Sequence, residues 1–209
     1  MQTRVYVDGY NLYYACLKGT QHKWLNLHRL VQSQLPKNNI DKIRYFTARV
    51  SARPHDPTQP QRQETYFRAL ATLPEIEIHY GHFLTHEVTM PDAAAWRAGQ
   101  YKPARVIKTE EKGSDVNFAA HLLMDAVDDL FDVAVIMSND SDLKEPIRLV
   151  RERFGKRIVL LTPRQTKISG ALKPLADFVK QFGPNTLAAA QFQNQLSDKI
   201  GNITKPKGW

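Results

Sequence analysis

Val133-Ala134-Val135-Ile136-Met137 is a run of five apolar residues that opens directly into Ser138-Asn139-Asp140-Ser141-Asp142. Such a run reads as a strand buried on both faces whose carboxyl end carries two acids in a turn. A helical pattern resumes through Ile147, Leu149, Val150 and Phe154, and Pro146 falls near the first turn, where few backbone donors have partners. The unit is therefore strand, acidic turn, helix. Val5-Tyr6-Val7-Asp8-Gly9-Tyr10-Asn11 repeats the design near the start of the chain. The expectation is that these two strand ends lie side by side and, with Asp115, make a site for divalent metal.

Strands separated by helices extend through most of the chain. After the first strand and turn, a helical turn over 12–17 ends at Gly19, and the spacing of Trp24, Leu25, Leu27, Leu30, Val31 and Leu35 predicts an amphipathic helix closed by Pro36. Residues 40–50 read as a second strand, 60–73 as a helix packing Tyr66, Phe67 and Leu70, and the alternation of 75–80 as a third strand. From 84 to 103 the pattern fails at Pro91, Gly99 and Pro103, which predicts a long insertion, and Trp96 there is an aromatic placed to touch substrate. A short strand at 104–109 leads into a helix from Ser114, its expected cap, to about Asp129, with apolar faces from Val116 to Val127. The helix after the focal strand ends at Gly155, residues 157–162 form another strand, helical spacing recurs over 172–182 and 187–196, and 201–209 read as a loose basic tail. The fold class is α/β: a three-layer sandwich around a central, mostly parallel sheet, with 1–182 as the main domain and 183–209 as a helical extension and tail. In such sheets ligands bind beyond the carboxyl ends of strands where the winding reverses, the position of Asp8 and Asp140.

Composition narrows the partners. Within 209 residues, 29 Lys and Arg oppose 21 Asp and Glu, a formal charge of +8 that suits a polyanionic partner. No apolar run approaches the roughly 20 residues needed to cross a bilayer, which predicts no membrane contact. The opening Met1-Gln2-Thr3-Arg4 enters a strand rather than a signal sequence, and the lone Cys16 allows no internal disulfide, so the expected location is cytoplasmic. Clustered carboxylates resist ionising together unless a cation neutralises them. Mg²⁺ or Mn²⁺, hard ions satisfied by carboxylates and water, fit that need and leave open positions for water and phosphate. No Walker loop, dinucleotide glycine pattern or Ser-His-Asp order competes with this reading.

Val-Asp-Gly-Tyr-Asn at 7–11, Glu-Lys-Gly-Ser-Asp-Val-Asn at 111–117 and Ser-Asn-Asp-Ser-Asp-Leu at 138–143 resemble the three motifs of the NYN domain family, the LabA-like branch of the PIN-like nucleases. The resemblance spans roughly residues 4–162 and implies a PIN-like fold and metal-dependent cleavage of RNA. It implies Asp8, Asp115, Asp140 and Asp142 as the metal-holding acids, Asn11 orienting substrate or water, and Ser138 and Asn139 near the phosphate. Two departures stand out. His121 occupies a helical position where many relatives of this fold carry another acid, and the 84–103 insertion lacks the paired cysteines of a zinc element.

Lys108 and Lys112, just before Asp115, are candidate phosphate contacts, and Arg49, Arg53, Arg62 and Arg68 near Tyr66 a candidate backbone-binding edge. Asp125, Asp128, Asp129 and Asp132 read as solvated charge at a helix end, and His79 and His82 would face opposite sides of a strand. The expected function is hydrolysis of single-stranded RNA phosphodiesters by in-line attack of an ion-activated water. The alternatives are a non-catalytic regulator that binds RNA or protein, and a phosphatase of small phosphoesters. A homodimer is compatible with all three.

Overall fold

Alternating buried strands and amphipathic helices leave one economical arrangement, a sheet covered on both sides, and the computed structural model, which describes residues 1–209, has it. The first strand, β1 (Gln2–Asp8), runs into helix α1 (Gly9–Leu12), which continues as a π-helical turn over Tyr13–Leu17. There follow α2 (Leu27–Gln34), β2 (Asn39–Ala48), α3 (Gln59–Ala71), β3 (Ile76–Pro91), α4 (Ala93–Arg97), β4 (Pro103–Lys112) and α5 (Ser114–Val127). The second half holds β5 (Val133–Met137), α6 (Lys144–Phe154), β6 (Arg157–Pro163), β7 (Phe178–Phe182), α7 (Pro184–Ala189) and the hairpin β8 (Gln195–Asp198) and β9 (Gly201–Thr204).

Seven strands form one sheet in the order β4-β3-β2-β1-β5-β6-β7, every neighbouring pair parallel except β3 and β4. The chain winds outward from β1 to β3, then returns to β5 and winds the other way. The reversal falls between β1 and β5, whose register pairs Val7 with Met137 and so sets the two acidic turns side by side. Because side chains alternate across a strand, Val5, Val7, Val133, Val135 and Met137 enter one core with α2, α3 and α7. Tyr6, Ala134 and Ile136 enter the other, with Phe118 and Leu122 of α5 and Ile147 and Val150 of α6.

Five readings of the sequence are corrected. The 84–103 stretch is no loop: β3 and β4 pair antiparallel from His82–Lys112 out to Pro91–Pro103, forming a hairpin arm with α4 at its tip. Its exposed strands contain Pro and Gly breakers only near the tip, so their alternation was masked. Residues 178–182, expected as helix, form the edge strand β7, because they complete the sheet beside β6. Residues 183–209 are neither a long helix nor a loose tail. Leu187, Ala190, Phe192 and Ile203 belong to the first core, Arg68 clamps Asp198 through two hydrogen bonds, and Trp209 packs edge-on against Trp24 and Tyr66. Trp24 and Leu25 precede α2 rather than beginning it, since Leu25 bridges Gln191.

The fifth correction concerns Asp125. It lies on the sheet side of α5, where Arg44 donates to both of its oxygens at 2.7 and 2.8 Å and the Tyr6 hydroxyl at 2.7 Å, while Arg4 stands 3.0 Å away as an ion pair. Burial pushes its carboxyl up, but these donors and charges outweigh that and hold it below the usual aspartate value. The network ties β1, β2 and α5 together. Asp125→Ala, which takes charged hydrogen bonds from Arg44 and an ion pair from Arg4 while leaving them Glu77 and Asp41, is expected to lower unfolding stability by about 1.5–3 kcal/mol in urea titrations. Because the folded pKa is depressed, Asp125's contribution is present near neutral pH and is lost only as pH falls below its ordinary 3.8.

Candidate functional site

At the switch point between β1 and β5 the chain opens a cleft of about 960 Å³. Its acids arrive on three elements: Asp8 ends β1, Asp140 follows β5, and Asp115 sits in the first turn of α5. Gly9 makes the first of these possible, since a Cβ there would lie 2.7 Å from the Tyr45 ring and 2.8 Å from the Phe46 carbonyl oxygen. Gly113, with φ +96°, turns β4 into α5 and so sets Asp115. Ser114 is not the expected cap. It is the first helical residue, and its amide and hydroxyl donate to the Glu111 carboxylate.

Asp8 is buried, with both oxygens occupied: Oδ1 accepts from the Asn11 amide at 2.9 Å and Oδ2 from the Ser138 hydroxyl at 2.9 Å. Ser138 in turn accepts from the Asp140 amide at 3.1 Å, and the Asn11 side-chain oxygen accepts from the Asn139 amide at 3.2 Å. These bonds lock the two strand-end turns together. Burial raises the Asp8 pKa, the Asn11 amide and Ser138 hydroxyl counter it, and Asp140 raises it again. Asp115 is pushed up to about 6, first by burial and then by the negative charges of Asp8, Asp140, Glu111 and Asp142. Raised acids crowded at a strand-end cleft make it the candidate site of this fold.

The remaining expected residues divide. Arg53 lines the cleft. Asn139 lines it too, but its amide is engaged at both ends, donating to the Lys167 carbonyl and accepting from the Ser169 amide, so it fastens a loop. Ser138 is buried behind Asp8, and Asp142 is exposed outside the cleft, its amide donating to Asp140. Lys108 and Lys112 flank Glu110 as ion pairs, on the strand face opposite to Thr109 and Glu111, which do line the cleft. Arg49 pairs with Glu64 and lies over the Tyr80 ring, and Arg68 holds Asp198, so the anticipated arginine edge reduces to Arg53 and Arg62. His121 lies against His79 with ring centroids 3.9 Å apart and planes tilted by 43°, outside the cleft lining, and Trp96 is 64% exposed at the tip of the arm.

Sequence reasoning missed Glu111, Lys18, Lys23 and the aromatic lining from Tyr13 and Tyr14. Glu111 was legible from the two-residue period of β4, which puts it on the face of Thr109. No three carboxylate, imidazole or thiol groups stand close enough together, as placed, to close around one ion. No helix is long and apolar enough to cross a membrane.

Comparison with known proteins agrees with this architecture. A solved structure of a protein of unknown function from Vibrio parahaemolyticus superposes with a TM-score of 0.55 at 16% identity, covering 88% of this chain and 94% of that one. A 6-hydroxy-3-succinoylpyridine 3-monooxygenase of Pseudomonas putida is 29% identical over 238 residues, spanning all of this chain and 75% of the relative. Residues 2–181, which hold all three motifs and every acid of the cleft, match the NYN domain. The chain belongs to the NYN domain family, with its PIN-like nuclease fold.

Proposed function

We propose that this protein is a divalent-metal-dependent nuclease that hydrolyses phosphodiester bonds of single-stranded RNA in the cleft between β1 and β5. One observation carries the reading: Asp8, Asp115 and Asp140, supplied by three separate elements, line the same cleft as Lys18, Lys23 and Arg53. The donor set suits a hard cation, being all oxygen and electrostatically strained without one. Mg²⁺ typically binds through one or two carboxylates and completes its shell with water and substrate phosphate, so a closed cage of three side chains is not required. One or two of Asp8, Asp140 and Asp115 would hold the ion directly and the rest through water, and when bound it supplies Lewis-acid polarisation and lowers the pKa of a coordinated water.

The chain's own residues do the rest. Ser138 and the Asn11 amide fix the Asp8 carboxylate, so that it keeps its direction while ionised. Asn11 also ties the turn after β5, holding Asp140 beside Asp8. Lys18, Lys23 and Arg53 attract the phosphate backbone into a cleft whose acids alone would repel it. Asp115, raised to about 6, is placed to hold or pass a proton near neutral pH.

A second reading rests on the Pseudomonas relative: oxygenation of a hydroxypyridine acid, with dioxygen and an external reductant consumed. The aromatic lining of the cleft would accept such a ring. The two readings separate cleanly in one set of assays. With Mg²⁺ or Mn²⁺ the wild type is expected to shorten an end-labelled single-stranded RNA, and Asp8→Asn or Asp140→Asn to slow this by roughly a hundredfold or more. Oxygen uptake with 6-hydroxy-3-succinoylpyridine and NADH, together with no RNA cleavage in either metal, would overturn the nuclease.

The acids also predict a linked effect on stability. A carboxyl raised in the folded state binds its proton more tightly than the unfolded chain does, so ionised Asp115 destabilises the fold above about pH 6, and the penalty fades as pH falls toward 3.8. An ion relieves it only where the carboxylate is charged. Thermal midpoints are therefore expected to rise with Mg²⁺ or Mn²⁺ at roughly pH 7.5 and much less at roughly pH 5. Asp115→Asn should raise the midpoint without metal and shrink the metal effect, and an equal rise at both pH values would count against the site.

A further inference from the structure

The π-helical turn Tyr13–Leu17 has a feature that the acids do not use. A π-turn carries an extra residue and is frequent at functional positions. Here the Lys18 amide bonds back to the Tyr13 carbonyl at 2.8 Å, Cys16 and Leu17 turn into the core, and Tyr14 turns outward, 61% exposed. Tyr14 lines the acid cleft, and every other aromatic side chain lining it is buried or half-buried. It follows Asn11 by three residues, and both line the cleft.

The Lys18 ammonium lies 4.8 Å over the Tyr14 ring, and Tyr13 meets that ring nearly perpendicular, with centroids 5.3 Å apart. Several other cations near the cleft are satisfied by acids: Lys108 and Lys112 by Glu110, Arg62 by Asp56. Lys18 is held by a ring alone. A looser version occurs nearby, where Lys23 also lines the cleft, lies 5.9 Å over the Trp209 ring and donates to the Gly208 carbonyl at 3.4 Å. A cation parked on an aromatic face is weakly held when exposed and is free to turn to an anion, leaving the ring open for stacking.

We propose that Tyr14 and Lys18 form a subsite for a flat heteroaromatic ring bearing an anionic group, the ring stacked on Tyr14 and the anion taken by Lys18, one helical turn from Asn11. A nucleotide has this chemistry, and so does a pyridine acid. The second pair, Lys23 and Trp209, favours the nucleotide, because a strand presents ring and phosphate repeatedly whereas a small acid presents them once. The inference deepens the nuclease reading by naming the part of the substrate that is gripped, and it rests on this cleft being the substrate site.

The test is equilibrium binding in EDTA, where no metal-dependent cleavage occurs, using uridine 5′-monophosphate, uridine, ribose 5-phosphate and nicotinate as probes. Uridine 5′-monophosphate is expected to bind saturably, with uridine and ribose 5-phosphate each roughly tenfold weaker or worse. Tyr14→Ala and Lys18→Gln should each weaken the nucleotide about tenfold, while Tyr14→Trp, which keeps a stacking face, should retain it. Nicotinate binding as tightly as the nucleotide, and lost in the same variants, would support the subsite and assign it to small ring acids. The proposal is overturned if Tyr14→Ala and Lys18→Gln bind every probe as the wild type does, if ribose 5-phosphate binds as tightly as the nucleotide, or if no probe saturates. Tyr14 is exposed, so far-UV circular dichroism of its variants should match the wild type. Tyr14-dependent binding in a protein that never cleaves RNA would remove the hydrolytic reading alone.

Discussion

Two strands buried on both faces, β1 and β5, lie parallel at the centre of the sheet, and the cleft depends on that pairing. With Val7 opposite Met137, the next residues along each chain are Asp8 and Ser138, and the hydroxyl reaches the carboxylate at 2.9 Å. A buried carboxylate is expensive to keep charged, and the backbone amide of Asn11 with the Ser138 hydroxyl offsets that cost without neutralising the charge. The Asn11 side chain then fastens the turn after β5. Four residues from two distant stretches of chain thus form one small polar unit on an apolar base.

The aspartates of this protein illustrate how neighbours decide the role of an acid. Asp125 and Asp115 lie on the same helix, ten residues apart in number, and face different surroundings. Asp125 is met by Arg44, Arg4 and Tyr6 and is held low, so it is a fixed anion that joins three elements. Asp115 meets Asp8, Asp140, Glu111 and Asp142 and is pushed up to about 6. Residue type and helix are the same for both. The first is satisfied within the fold; the second leaves an electrostatic debt that only a proton or an external cation can settle.

Membership of the NYN family fixes the framework more firmly than the chemistry. A fold of this type presents strand ends at a switch point, and different side chains there support different reactions. The monooxygenase similarity over the whole chain is a reminder of that latitude. What argues for phosphodiester chemistry is the combination within one cleft of crowded oxygen donors, cations without acid partners, and an exposed ring. The acids are suited to a divalent ion and the cations to a polyanion, and a nucleic acid with its metal satisfies both at once.

Much of this was legible in the sequence, because the strongest signals are local. Apolar runs ending in acids gave β1 and β5, the spacing of Val116, Ala119, Leu122, Leu123 and Ala126 gave a helix, and Gly155 marked where another ends. Asp8, Asp115 and Asp140 followed from their motifs, and all three reached the cleft. What only the tertiary structure decided was set by partners far along the chain. Residues 178–182 are a strand because β6 leaves an edge for them, and 84–103 a hairpin because the two halves pair with each other. Lys108 and Lys112 turn away because the strand period gives the cleft to Thr109 and Glu111, and Asp125 is buried because Arg44 comes from the neighbouring strand to meet it. Local periodicity dictates which face of an element is apolar, but which polar groups meet depends on how distant elements are laid together, and that is a property of the assembled fold.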